Sequence, residues 1–288
     1  MNDQWIVVCG VNKCGQLGVG YELAPHYSKK LLPLQFNTSC LQKVLPLPLQ
    51  MLQHDENLKK QFFAARQPEL IHASCGALFS IYLSKNPHLL WACGKNDASN
   101  LGIPNEKSSS QSSSINEDPS FISMEDFIQK ESNVMSVSAV IVNNECNMLR
   151  VVCGQEHAFL LLSNMTWMCT GSNHSGQLGF PDHVRKFHQF TPMKSVLKEV
   201  VTDIFCSAMG CHTFYLTQSH RVYASGKNSC GQLGLGHLQR VYHPMQEVTA
   251  LSNETIVHIA CGPEHSIFLS KEGTIFGCGS PSCGQLGI

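Results

Sequence analysis

One four-residue phrase, Gly-Gln-Leu-Gly, returns along the whole chain. It stands at Gly15–Gly18, Gly176–Gly179, Gly231–Gly234 and Gly284–Gly287, with a degraded copy at Ser99-Asn100-Leu101-Gly102. Each copy follows a small residue and a glycine: Cys9-Gly10, Cys93-Gly94, Thr170-Gly171, Ser225-Gly226 and Cys278-Gly279. A second phrase opens the unit 17 or 18 residues earlier, as Cys75-Gly76-Ala77-Leu78-Phe79, Cys153-Gly154-Gln155-Glu156-His157 and Cys261-Gly262-Pro263-Glu264-His265. A weaker copy reads Ala208-Met209-Gly210-Cys211-His212, with Met209 in the glycine place. Self-similarity of this kind marks a repeat architecture, in which each unit buries its faces against the next.

The unit reads as a β-hairpin. In the last copy, His265-Ser266-Ile267-Phe268-Leu269-Ser270 is apolar and β-favouring, Lys271-Glu272-Gly273 is a turn, and Thr274-Ile275-Phe276-Gly277 is a second strand. A large residue recurs three places before the closing glycine, and a small one two places before it except at Val8. Neighbours of unequal size on opposite faces suit a sheet wedged between two others. Gly10, Gly94, Gly171, Gly226 and Gly279 supply backbone freedom for a tight turn. Leu17, Leu178, Leu233 and Leu286 are expected in the core, and His157, His212 and His265 share one repeat position.

Those five glycines are 84, 77, 55 and 53 residues apart, so the clean period is 53 to 55. The excess lies in two insertions within a single repeat-built domain, 1–288. The first, 40–70, contains Leu49, Leu52, Leu58, Phe62 and Ala65, which line up as one apolar face of a short helix. The second, 103–135, contains the serine-rich run 108–114 and reads as a disordered loop.

Two phrases in register at this period resemble the regulator of chromosome condensation repeat. Ile259 to Leu269 fits the family's second signature throughout, while Phe79 and Val152 depart from it in their copies. The resemblance implies an all-β fold: a β-propeller of four-stranded antiparallel sheets packed radially. Without the insertions the chain holds about four to five such blades, against roughly 4 to 8 in closed propellers. Two readings stay open, a fragment of a longer propeller and an open arc. The resemblance also implies two functions. Relatives catalyse nucleotide exchange on a small GTPase, or serve as interaction modules beside a ligase, kinase or cytoskeletal partner.

Composition narrows the classes. Charged residues are 14% of the 288, and formal net charge is −1. A basic nucleic-acid surface is therefore not expected. No apolar run reaches the roughly 18 residues that span a bilayer, and Met1 to Gly10 lacks the positive region of a signal peptide. The 14 cysteines then read as reduced thiols of a cytoplasmic or nuclear protein. Both Gly-Lys pairs, Gly94-Lys95 and Gly226-Lys227, lack the upstream glycine of a phosphate loop, and no Gly-x-Ser-x-Gly or His-Glu-x-x-His occurs. Cys9, Cys75, Cys93, Cys153, Cys261 and Cys278 occupy repeat positions where Thr, Ser or Ala also stand, so they read as small buried residues rather than zinc ligands. His157, His212 and His265 fall once per blade, which spaces them around a ring and favours a structural role. No catalytic, metal or cofactor residue is expected, nor a small-molecule substrate. The expectation is a protein partner, with a small GTPase its most specific form.

Overall fold

The computed structural model describes residues 7–11, 27–33, 42–44, 70–84, 90–102, 147–193 and 199–287. Seventeen strands run through them: β1 (Val7–Val11), β2 (Tyr27–Pro33), β3 (Gln42–Val44), β4 (Leu70–Cys75), β5 (Phe79–Ser84), β6 (Leu90–Gly94), β7 (Met148–Cys153), β8 (His157–Leu162), β9 (Trp167–Ser172), β10 (Lys186–Pro192), β11 (Val201–Cys206), β12 (His212–Thr217), β13 (Val222–Gly226), β14 (Val241–Glu247), β15 (Ile256–Cys261), β16 (His265–Ser270) and β17 (Ile275–Gly279). A 3-10 turn at Thr249–Leu251 is the one helical piece assigned among them. No helix there is long and apolar enough to cross a membrane.

The strands form five antiparallel sheets. In chain order they are β1-β2, β4-β5-β6-β3, β7-β8-β9-β10, β11-β12-β13-β14 and β15-β16-β17. The innermost strands of the last four follow one another: β4 lies against β7, β7 against β11, and β11 against β15. This is the stacked-sheet arrangement of a β-propeller.

Each seam between sheets has its own core. Ile81, Leu83 and Leu90 of the second sheet pack with Ala158, Leu160 and Met168 of the third. Phe159, Leu161 and Trp167 pack with Ile204, Tyr215 and Met245 of the fourth. Phe214, Leu216 and Val222 pack with Ile256, Ile259 and Phe268 of the fifth. Strand β8 shows why a wedged strand must be apolar on both faces. Ala158, Leu160 and Leu162 point to one seam and Phe159 and Leu161 to the other, and all six residues of the strand are buried. Each large side chain there contributes roughly 1.5–3 kcal/mol on burial.

The register corrects one alignment drawn from sequence. Cys206 pairs with Thr213 as Cys75 pairs with Ser80, Cys153 with Ala158 and Cys261 with Ser266. Cys206, not Ala208, therefore opens the fourth unit. Ser207 rather than Met209 takes the glycine place, and the loop to His212 carries two extra residues. A β-bulge near the start of every inner strand, at Ile71, Leu149, Thr202 and Val257, supports this register independently of residue identity.

The outer strands hold a second surprise. In the third and fourth sheets they come after the Gly-Gln-Leu-Gly turn, as β10 and β14. In the second sheet the outer strand is β3, which precedes the sheet in sequence. Gln42 faces Ala92 as Gln246 faces Ala224 and Thr191 faces Cys169. Part of the 40–70 insertion is thus a blade edge. Leu49, Leu52, Leu58, Phe62 and Ala65, and all of 103–135, lie outside the described residues.

Candidate functional site

The closing glycines set the geometry of one end of the stack. Gly94, Gly171, Gly226 and Gly279 have φ of +105°, +94°, +109° and +108°. A Cβ at each would stand 2.4 Å from the carbonyl oxygen of Leu78, Glu156, Cys211 or Glu264 respectively. That carbonyl instead accepts the backbone N–H of the residue after the glycine, at 2.8–2.9 Å in all four units. The strand end and the inner loop are thereby clamped together, and only glycine fits. Gly10 lies in β1 opposite Ser28.

The recurring histidines sit inside the seams. His157 and His212 are buried, with Nε2 at 3.3 Å from Thr213 Oγ1 and 3.0 Å from Ser266 Oγ of the next sheet. Those hydroxyls donate onward to the carbonyls of Gln177 and Gln232, at 2.7 and 2.8 Å. A hydroxyl has one proton, so each must accept from the imidazole, which fixes the Nε2–H tautomer. The result is a relay across each seam: ring N–H to hydroxyl, hydroxyl to the glutamine carbonyl of the Gly-Gln-Leu-Gly turn. Nδ1 of both rings has no hydrogen-bond partner. Burial, then His212, pushes His157 down to about 3, while burial, then His265 and Lys227, pushes His212 down to about 4. Both rings are neutral at physiological pH. His265, at the same position in the last sheet, is half-buried.

Leu178 and Leu233 are buried in the core, Leu101 of the degraded copy equally so, and Leu286 is half-buried against Gly277. Leu17 lies outside the described residues.

An asparagine two places after the closing glycine was missed from sequence. Asn96, Asn173 and Asn228 each accept, through Oδ1, the backbone N–H of Leu101, Leu178 or Leu233 at 3.0 Å. Asn173 and Asn228 also donate through Nδ2 to the loop carbonyls of Val184 and His237, both at 2.7 Å. The signal was the tripeptide Gly-x-Asn at Gly10, Gly94, Gly171 and Gly226, which gives way to Gly-Ser-Pro281 in the last unit.

On this same end the inner loops of successive sheets are tied to one another. Ala77 N donates to Gln155 O and Gln155 N to Gly210 O, both at 3.4 Å, and Cys211 Sγ lies 3.0 Å from Gln155 Oε1. Lys227 Nζ meets Glu264 Oε1 at 2.8 Å between the fourth and fifth sheets. Leu78 and Met209 stand out of this platform, 39% and 60% exposed, with Glu156 exposed between them in sequence. The surface offers apolar and acidic contact points on a rigid base.

Three thiols at the ends of inner strands are poor ligands. Burial pushes Cys153, Cys206 and Cys261 well up, leaving them protonated at neutral pH. Among the described residues no three His, Cys, Asp or Glu side chains are grouped to hold a metal.

Comparison with known proteins agrees with this architecture. Two models of the regulator of chromosome condensation (RCC1) repeat match, one over residues 219–269 and the other over 201–232 and 256–285. The chain is 32% identical over 166 residues to the probable E3 ubiquitin-protein ligase HERC4 of Homo sapiens, covering 58% of this chain and 15% of the ligase. It is 30% identical over 220 residues to the human probable E3 ubiquitin-protein ligase HERC6, covering 76% of this chain and 19% of that protein. The structure of Prp20p from Saccharomyces cerevisiae, reported with its binding to Gsp1p and histones, superposes with a TM-score of 0.63 at 17% identity, over 100% of this chain and 56% of that one. The chain thus spans under a fifth of the two ligases. With the repeated phrases, the stacked sheets and both repeat models in agreement, this chain belongs to the RCC1 repeat family.

Proposed function

We propose that this chain is a protein-interaction propeller that regulates a partner protein in the cytoplasm or nucleus, and that its sharpest form is guanine nucleotide exchange on a small GTPase. The observation that carries the reading is the loop platform. Its loops are joined by backbone hydrogen bonds and leave Leu78 and Met209 presented to a partner. A preformed face of this kind binds without a large ordering penalty. Exchange is differential binding: a factor that holds the nucleotide-free partner more tightly lowers nucleotide affinity by linkage, with no covalent step. The likeness to Prp20p, reported to bind Gsp1p and histones, supports a protein partner. A nucleosomal role fits less well, because wrapping contacts call for a cationic surface and the net charge here is −1.

The test is release of fluorescent nucleotide from a panel of purified GTPases mixed with the chain. Acceleration of one member supports exchange. Acceleration of none leaves the second reading, a non-catalytic adaptor or targeting module, which the similarity to HERC4 and HERC6 favours.

A further inference from the structure

One corner between the third and fourth sheets gathers cations that have no anionic partner. Elsewhere Lys95 pairs with Asp97, Arg150 with Asp203, Arg221 with Glu199 and Glu247, and Lys227 with Glu264. Arg185, Lys186 and Arg240 are exposed and, among the described residues, meet no carboxylate. Asp182 is the one acidic residue within 172–186 and 236–246, and it bridges to none of the three. The formal charge of −1 over the whole chain hides this local excess.

The two arginines share a repeat position, 14 residues after Gly171 and Gly226. Both are fastened to the loop that follows Gly171. Asn173 N donates to Arg185 O at 2.7 Å. From the next sheet, Arg240 Nη1 donates to His174 O and to the Tyr242 hydroxyl, each at 3.2 Å, and that hydroxyl donates to His174 O at 3.0 Å. The turn also packs tightly on β14, since a Cβ on Gly176 would stand 2.3 Å from Val241 O. One nitrogen thus holds the Arg240 guanidinium in place, and its Nε and Nη2 donors take no partner among the described residues. The chemistry that fits such a corner is a compact dianion. A carboxylate carries one charge and leaves two cations unmatched. A phosphoryl group carries about −1.5 to −2 at neutral pH and presents three acceptor oxygens to a guanidinium fork. We propose that the corner formed by Arg185, Lys186 and Arg240 is a docking site for a phosphorylated serine or threonine of a partner protein. The site rests on the protein-interaction reading and adds to it a contact that senses the partner's modification.

The test passes the full chain over peptide libraries with a fixed central phosphoserine or phosphothreonine, over the same peptides unphosphorylated, and over the same peptides with a central run of glutamates. The expected result is retention of the phosphorylated library alone, with binding that weakens as salt rises. Arg240→Ala should weaken the best retained peptide about tenfold or more. Arg240→Lys should recover only part of the loss, because an ammonium lacks the fork. Lys271→Ala removes an exposed cation outside the corner and should change nothing. All three variants change exposed side chains and should melt with the parent chain. Equal retention of the glutamate library, of phosphatidylserine vesicles or of duplex DNA overturns the phosphopeptide, and equal losses from Lys271→Ala and Arg240→Ala overturn the corner. Retention of no library overturns the site outright, while the exchange panel, run with unmodified GTPases, judges the interaction reading separately.

Discussion

The seam between the second and third sheets and the two seams after it solve one packing problem with different chemistry. In the later seams a buried imidazole donates to a hydroxyl, His157 to Thr213 and His212 to Ser266. In the earlier seam Phe79 takes the histidine position and Ala158 the hydroxyl position, and both lie in one apolar cluster. The rings are seated alike. A Cβ on Gly76 would stand 1.9 Å from the Phe79 ring, and one on Gly154 would stand 1.9 Å from the His157 ring. The neighbours two places on follow suit. Phe159 meets Tyr215 and Phe214 meets Phe268 edge-on in the polar seams, where the apolar seam has Ile81 and Leu160. A hydroxyl serves the apolar seam elsewhere, Thr170 Oγ1 donating to Ser99 O at 2.9 Å. What changes together is a pair drawn from two consecutive repeats. A lone histidine opposite Ala158 would strand its N–H, and a lone phenylalanine opposite Thr213 would leave that hydroxyl without the imidazole donor. Signature positions in this chain are therefore properties of seams, not of single repeats.

The largest effects should come from changes that break both kinds of seam alike. Gly94→Ala and Gly171→Ala each drive a Cβ to 2.4 Å from a backbone carbonyl at a φ that L-residues avoid. Each should lose about 4 kcal/mol or more in chemical denaturation, in equal measure on the apolar side and the polar side. Acid separates the two. The folded values of His157 and His212, about 3 and about 4, lie below that of an unfolded histidine. Below pH ~6.5 the unfolded chain binds protons that the folded chain refuses. The stabilisation from holding both rings neutral is fully present above that pH. It is lost progressively as pH falls towards the folded values. At pH 5 the loss is about 2 kcal/mol per ring. Urea midpoints at pH 7 and pH 5 measure it. A midpoint that does not move, or local hydrogen exchange that loosens first around Phe79, would contradict the assignment of acid sensitivity to the polar seams.

The same contrast explains what could be read from sequence. The repeated glycines and Leu178 and Leu233 announce themselves because one local geometry, a clamped strand end and a tucked turn, recurs in every unit. The Gly-x-Asn staple carries equal local signal, because its tripeptide recurs at Gly94, Gly171 and Gly226 with the same hydrogen bond each time. Spelling alone misaligns the fourth unit, because Met209-Gly210 imitates the opening phrase and a two-residue loop extension shifts spelling without shifting the sheet. The crossing of β3 to the outer edge of the second sheet had no local signal at all. Three residues, Gln42–Val44, become a blade edge only because the edge of β6 accepts them. The partner of each histidine was equally hidden. Thr213 lies 56 residues from His157, and only the stacking of sheets brings them together.

Two smaller effects test the pairing itself. Thr213→Val keeps the shape but removes both halves of a relay, stranding His157 Nε2–H and leaving Gln177 O with only the distant Tyr215 hydroxyl at 3.4 Å. It should lose about 3 kcal/mol, whereas Ala158→Val in the apolar seam strands no polar group and reports overpacking alone. The double variant His157→Phe, Thr213→Ala imports the apolar pair into the polar seam. The Phe79 ring shows that a phenyl fits on the glycine seat, so the double variant should be more stable than the sum of its single variants by about 1–2 kcal/mol. It should also lose about half of the acid sensitivity, since one of the two neutral rings is gone. Additive single effects, or an unchanged pH dependence, would show that ring and hydroxyl vary independently and that their coincidence in the second seam is an accident of packing.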